Sequence, residues 1–237
     1  MKVLMFSLFL MFGISQACDY SACDSINPIS EFFEVGFLPN KEQLLKLCPK
    51  TLQYFVCENR NVKTCTGKSI QELSLLDDQD AKQFRMFLKL EKIVLEVCNE
   101  NSTLHKDYVD TIECFRDFLR KPNTVCEKET PKAEEKILEI LNNIGDSHEL
   151  YLKKRCLEAA FEAACFTLQL EETCGEAART TAITLLQMLK GVWGSEECTG
   201  LENGGAELKA RFLDALGLDE SRKSKFQIAF DLVRKRR

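Results

Sequence analysis

Residues 156–175 read CLEAAFEAACFTLQLEETCG, with apolar positions at spacings of three and four. This spacing is typical of an amphipathic helix. Its cysteines, Cys156, Cys165 and Cys174, are nine residues apart, and nine residues at 100° each turn a helical position by a net half turn. Cys156 and Cys174 therefore face one way and Cys165 faces the other. We expect a central helix bridged to neighbours on both sides, in which Cys165 bonds to a different helix from the partners of the other two.

The same spacings recur along the rest of the chain, and no run alternates over the length of a strand. We therefore predict an all-α fold, a disulfide-stapled bundle of about six to eight amphipathic helices. Ser69-Ile70-Gln71-Glu72 fits a capping box, and Thr130-Pro131 fits a cap followed by a first-position proline. Helices are predicted at 40–57, 70–98 (with a break at 77–80 left open), 103–120, 131–144, 147–174, 176–190, 206–216 and 220–234.

Apolar positions also predict which side of a helix is buried. The inner side of the first predicted helix is assigned to Leu44, Leu45, Leu47 and Leu52. The apolar positions of the next are Leu73, Leu76, Phe84, Phe87, Leu88, Val94 and Leu95. Gly175 is assigned as the stop of the helix that carries the three evenly spaced cysteines.

The N-terminus has the features of a secretory leader. Lys2 precedes a short apolar run, and Ser15 and Ala17 place small residues at the −3 and −1 positions of a cleavage site. This pattern predicts a signal peptide over 1–17 and a mature chain that begins at Cys18. The alternative is a membrane anchor, but the run is shorter than the ~20 residues that a spanning helix needs. We therefore expect a secreted, extracellular protein.

All twelve cysteines lie in the predicted mature chain, and the even count allows six bridges with no thiol left over. That usage is typical of an oxidising compartment. Bridges of very roughly 2–4 kcal/mol each would reinforce a hydrophobic core rather than replace it. The predicted disulfide cysteines are Cys18, Cys23, Cys48, Cys57, Cys65, Cys98, Cys114, Cys126, Cys156, Cys165, Cys174 and Cys198.

Cysteine usage also suggests the domain organisation. A cysteine-rich helical domain is predicted over 18–200, followed by a Cys-free helical tail over 201–237. Cys48 and Cys57 repeat the nine-residue step of Cys156 and Cys165 at an offset of 108, which hints at two related halves, 18–126 and 127–200. Accidental recurrence on packed helices is the favoured alternative, because no aligned apolar pattern supports the repeat.

No reaction centre can be assigned from the sequence. Gly67-Lys68-Ser69 lacks the upstream glycine of a phosphate-binding loop, since Val62 stands there. His105 and His148, predicted to be solvated, fall in no zinc-binding or nucleophile–base spacing. We assign no catalytic residue, metal ligand or cofactor, and expect a protein that is not an enzyme. Asn101-Ser102-Thr103 is the only N-x-S/T sequon and a candidate glycosylation site.

The C-terminus is basic, although the whole chain has a formal net charge of −5. The last sixteen residues carry seven basic side chains and only Asp231 as an acid, beside an apolar stripe that includes Phe226 and Ile228. This helix could pack on the acidic body, lie on a membrane surface or dock on a partner, or be trimmed at its last four residues. An acidic body with a basic tail excludes the charge profile of a nucleic-acid-binding protein.

The leader, the early cysteine pair, Leu47-Cys48-Pro49 with Cys57 and Cys65, and then Cys98, Cys114 and Cys126 form a recognisable arrangement. It resembles secreted cysteine-rich helical domains of unknown function in nematodes and arthropods. The resemblance covers at most residues 18–200 and implies an extracellular location and a binding or structural role.

Taken together, these features predict a secreted, non-enzymatic extracellular binding or interaction protein. Its partner would be an extracellular protein or a small apolar ligand, and its oligomeric state is open. One alternative is a carrier whose helices enclose a lipid or other apolar ligand. Another is a venom or defence component whose basic tail acts on membranes.

Overall fold

A computed structural model describes residues 20–76, 79–120, 124–141, 147–189 and 205–233. Within these residues there is no strand, so the predicted all-α class is confirmed. A 3-10 helix at Tyr20–Ile26 precedes α1 (Ile29–Glu34), α2 (Lys41–Thr66), α3 (Ile70–Ser74), α4 (Gln79–Cys98), α5 (Thr103–Arg120), α6 (Thr124–Leu141), α7 (Ser147–Met188), α8 (Gly205–Ala215) and α9 (Glu220–Val233). No described helix combines the length and the apolar character that a membrane-spanning segment requires. The predicted signal peptide, 1–17, lies outside the described residues.

The chain divides into two compact units, Met1–Ile112 and Glu113–Arg237. The division falls within α5 and earlier than the 126/127 boundary of the possible repeat. It places six of the twelve cysteines in each unit.

In the first unit, α2 is the longest helix, and defined caps fix both of its ends. Asn40 and Gln43 form a capping box at its start, and Gly67 adopts φ 72° just after its end. The helix therefore runs on to Thr66, whereas the prediction ended it near Cys57, where no stop signal exists. The core below it joins Phe55 to Phe87, with ring centroids 4.9 Å apart.

The predicted capping box of Ser69 and Glu72 is confirmed. The helix that it opens is short, because α3 ends at Ser74 and α4 begins at Gln79. The break that the sequence left open near 77–80 is therefore present. Asp77 and Asp78 themselves lie outside the described residues.

In the second unit, α7 is the central element, contacted by both α6 and α9. Gly175 has φ 85° and ψ 174°, which interrupts the helix at the predicted stop. The core buries large side chains from four helices around the first part of α7: Ile137, Leu141, Leu157, Phe161, Phe212 and Phe226.

The predicted start of α6 is wrong. The helix begins at Thr124, so Pro131 lies inside it rather than at its first position. Proline supplies no amide hydrogen to the preceding turn. One residue earlier, the Thr130 hydroxyl donates to the Cys126 carbonyl oxygen at 2.7 Å. That turn is also held by the disulfide of Cys126, which is only 9 % exposed.

Four disulfides join described cysteines, and no described cysteine is free. The bridges are Cys23–Cys57, Cys48–Cys98, Cys114–Cys174 and Cys126–Cys165. Cys165 therefore bonds to α6 and Cys174 to α5, which confirms that these two positions of α7 reach different helices. Cys65 and Cys156 are also disulfide-bonded. Cys18 and Cys198 lie outside the described residues.

The two units share one disulfide pairing, and their other described bridges do not conflict. Counting the six cysteines of each unit along the chain, the second bonds to the fourth in both cases. The third bonds to the sixth in the first unit, and the first bonds to the fifth in the second unit. In the second unit the third and sixth cysteines are Cys156 and Cys198, and in the first unit the first and fifth cysteines are Cys18 and Cys65. Of these four, Cys18 and Cys198 lie outside the described residues.

If both units follow the same order, Cys65 bonds to Cys18 and Cys156 bonds to Cys198. Peptide mapping by mass spectrometry without reduction should find these two linked pairs beside the four described bridges, and reduction should release all of them. A link from Cys65 to Cys198, or from Cys156 to Cys18, would contradict the common order.

Candidate functional site

The histidines do not form a reaction centre. His105 is half-buried, and its Nδ1 lies 2.6 Å from the Val97 carbonyl oxygen, so it is not the solvated side chain that the sequence predicted. His148 is exposed at the start of α7. Among the described residues, no group of three or more His, Cys, Asp or Glu side chains is placed to hold a metal ion.

The basic side chains of α9 lie close to acidic partners. Lys225 Nζ is 2.6 Å from the Glu171 carboxylate, and Lys223 Nζ is 2.6 Å from the Asp214 carboxylate. On the apolar side of α9, Phe226 is 3 % exposed and its ring packs on Phe161 of α7. The described part of α9 is therefore packed on its own unit. Residues 234–237 lie outside the described residues.

A cavity next to this contact lies beside the Cys126–Cys165 bridge. Its lining includes Glu129, Leu168 and Phe226. The space that the centre of a water molecule can reach is about 10 Å³, which is room for roughly one water. A ligand of lipid size does not fit there.

A larger candidate surface lies on the first unit, where aliphatic side chains of α2 and α4 are exposed. Leu45 is 59 % exposed, Val56 is 56 % exposed and Leu95 is 54 % exposed. Leu52 and Leu88 are half-buried. We call these five residues the α2–α4 apolar face.

The five side chains share one side of the helix pair. Cys48, near the start of α2, bonds to Cys98, the last residue of α4, and Phe55 packs on Phe87, so the two helices run antiparallel. On α2, positions 45, 52 and 56 lie about 40–80° round the axis from Cys48. On α4, positions 88 and 95 lie about 60–80° round from Cys98 in the same rotational sense. Because the helices are antiparallel, these rotations bring both sets to the same side of the bridge.

The α2–α4 apolar face is where the predicted core was wrong. Leu45 was assigned to the inner side of α2 and Leu95 to the apolar positions of α4, yet both are more than half exposed. Leu44 and Leu47, assigned to the same inner side, are buried as predicted. Leucines at adjacent positions occupy different sides of a helix, and composition alone does not show which leucine faces the core.

A second cluster lies on the opposite, core-facing side of α2. Tyr54 is buried, and its hydroxyl donates a hydrogen bond to the half-buried Glu58 carboxylate, with Asp24 nearby. Burial raises the pKa of Glu58, against the hydrogen bond from Tyr54, which lowers it, and the charge of Asp24 raises it further. Burial likewise raises the pKa of Tyr54. The raised pKa of Glu58 links this cluster to the pH dependence of stability.

The raised pKa of Glu58 predicts a pH-dependent contribution to stability. A carboxyl whose pKa is higher in the folded state favours folding while it is protonated, and that contribution is lost as the pH rises through the raised value. Glu58→Gln should therefore raise the melting temperature by about 2 °C at pH 8 and change it little at pH 4. Thermal unfolding at both pH values checks this. Glu42→Gln, at an exposed position of the same helix, is the control, and an equal gain there would contradict the prediction.

Comparison with known proteins assigns no family to the chain. No family model matches it, and neither the curated proteins nor the solved structures include a chain that is similar to it. The resemblance to cysteine-rich helical domains of nematodes and arthropods stays a prediction. The function is therefore inferred from the geometry and charge of the described residues.

Proposed function

We propose that this chain is a secreted, non-enzymatic extracellular binding protein and that the α2–α4 apolar face is its binding surface. The observation that carries the proposal is the exposure of Leu45, Val56 and Leu95 on one side of a bridged helix pair. Scattered apolar residues are normal on a protein surface, but a contiguous group marks a candidate contact site.

Both the free energy of hydration and the rigidity of the helix pair favour binding at this face. Covering aliphatic surface is favourable by roughly 25 cal/mol per Å². The Cys48–Cys98 bridge fixes the two helices beside the exposed leucines. A surface that is already held in its bound shape loses less conformational entropy on binding. The α2–α4 apolar face is therefore suited to recognition.

Secretion is part of the same proposal. The leader at 1–17 supplies the route, and the four described disulfides fit an oxidising compartment. The two alternatives have less support. The cavity beside Cys165 is too small for a lipid cargo, and Lys223 and Lys225 of the basic tail lie against carboxylates.

Glycosylation of Asn101 belongs to this proposal, because the sequon lies in an exposed turn between α4 and α5. We expect the protein secreted from a eukaryotic cell to lose the mass of one N-glycan after treatment with peptide N-glycosidase. Thr103→Ala should give the unglycosylated mass directly, because it destroys the sequon. An identical mass before and after the enzyme would contradict the assignment.

The binding surface can be tested with a photo-crosslinking amino acid at position 56. We expect a defined adduct with a protein or a lipid when the secreted protein is irradiated in the extracellular fluid of its source. Leu45→Glu should reduce the adduct at least about tenfold, because a carboxylate in the apolar contact must be desolvated. Mass spectrometry of the adduct identifies its class.

The matched control places the same crosslinker at position 138. Leu138 is 46 % exposed, but it lies on α6 of the second unit. We expect no defined adduct there. The same adducts from both positions, or none from position 56, would overturn the proposed surface.

A further inference from the structure

Basic side chains surround the α2–α4 apolar face. Lys41 and Lys63 lie on α2 about 20° and 60° round from Cys48, on the side that carries the exposed leucines. Arg60 of α2 and Lys92 of α4 lie farther round on that same side. All four are exposed. The acidic residues on this side are Glu42 and Glu96, which are exposed, and Glu91, which is half-buried and accepts a hydrogen bond from Asn59 at 2.8 Å.

This concentration of positive charge runs against the composition of the unit. Residues 18–112 contain fifteen acidic and eleven basic side chains. In the described part of the chain, no ion pair joins Lys41, Arg60 or Lys92 to a carboxylate. The basic residues of α9, by contrast, have carboxylates at 2.6–3.5 Å. The positive charge near the apolar face is thus available to an external anionic partner.

Charge and size decide between the possible partners. A second copy of this chain would bring the same basic side chains together around the same apolar centre, which like-charge repulsion disfavours. A stable protein interface covers about 800 Å² on each partner. Three exposed aliphatic side chains form only a small centre for such an interface. A membrane surface needs no such area, because each inserted side chain and each lysine near an anionic headgroup contributes separately.

We propose that the α2–α4 apolar face docks on an anionic lipid surface, with Leu45, Val56 and Leu95 at the acyl boundary and the surrounding basic side chains against the headgroups. This inference rests on the proposed function, because it names the partner of the same face. It assigns membrane contact to the first unit rather than to the C-terminal helix.

The test is co-sedimentation of the secreted, disulfide-bonded chain with vesicles of phosphatidylcholine and phosphatidylglycerol at 7:3, and with vesicles of phosphatidylcholine alone. We expect binding to the anionic vesicles that weakens with salt, and little binding to the neutral ones. Lys63→Ala and Lys92→Ala should each lower the partition coefficient about fivefold. Leu45→Glu/Val56→Glu should lower it at least tenfold.

Two exposed apolar residues outside the face supply controls. Leu138→Glu on α6 and Ile228→Glu on α9 add the same kind of charge at positions that are 46 % and 42 % exposed. Both should bind anionic vesicles as the unchanged protein does. Circular dichroism of every variant checks that the helices are retained.

The outcomes separate this inference from the proposed function. No binding to anionic vesicles, or an equal loss in the Leu138→Glu variant, overturns the lipid partner. A protein adduct at position 56 together with no vesicle binding would leave the binding surface standing and replace the lipid with a protein. Loss in Ile228→Glu alone would assign the membrane contact to α9 and contradict the inference.

Discussion

The disulfides that tie α7 to two different helices are the constraint on which the second unit depends. Cys165 reaches α6 through Cys126, and Cys174 reaches α5 through Cys114. A helix with cysteines on opposite sides is fixed only if neighbours lie on both sides. By closing loops of 39 and 60 residues, these bridges contribute roughly 3–4.5 kcal/mol each by restricting the unfolded chain. The core around Leu157 and Phe161 then forms between helices that are already held together.

In the first unit, too, a disulfide joins two helices, and here it lies beside exposed aliphatic side chains. The Cys48–Cys98 bridge fixes α2 against α4 beside the contact of Phe55 with Phe87. With the helices fixed in this way, the core takes one side of α2, and Leu45 and Val56 are left on the other. A small unit that is stabilised by disulfides can leave aliphatic side chains exposed without losing its fold, because burial is not its only source of stability.

The distribution of charge distinguishes the C-terminal helix, which the sequence suggested for recognition, from the α2–α4 apolar face, which the structure reveals. Lys223 and Lys225 of α9 form ion pairs with Asp214 and Glu171. Much of the positive charge of this helix is therefore paired within its own unit. The face between α2 and α4 combines exposed leucines with basic side chains in an acidic unit. The proposed binding surface therefore includes leucines, such as Leu45, that the sequence pattern assigned to the inner side of a helix.

The sequence by itself determined the helical class, the cap at Ser69, the helix break at Gly175, and the division of the cysteines of α7 between two sides. These follow from local rules, since helical periodicity, capping hydrogen bonds and backbone conformation act within a few residues. Only the tertiary structure decided that the Leu45 side chain faces outward while its neighbour Leu44 faces inward. Both leucines satisfy the same local pattern, and which of them is buried depends on where Cys98 and Phe87, distant in the chain, approach α2.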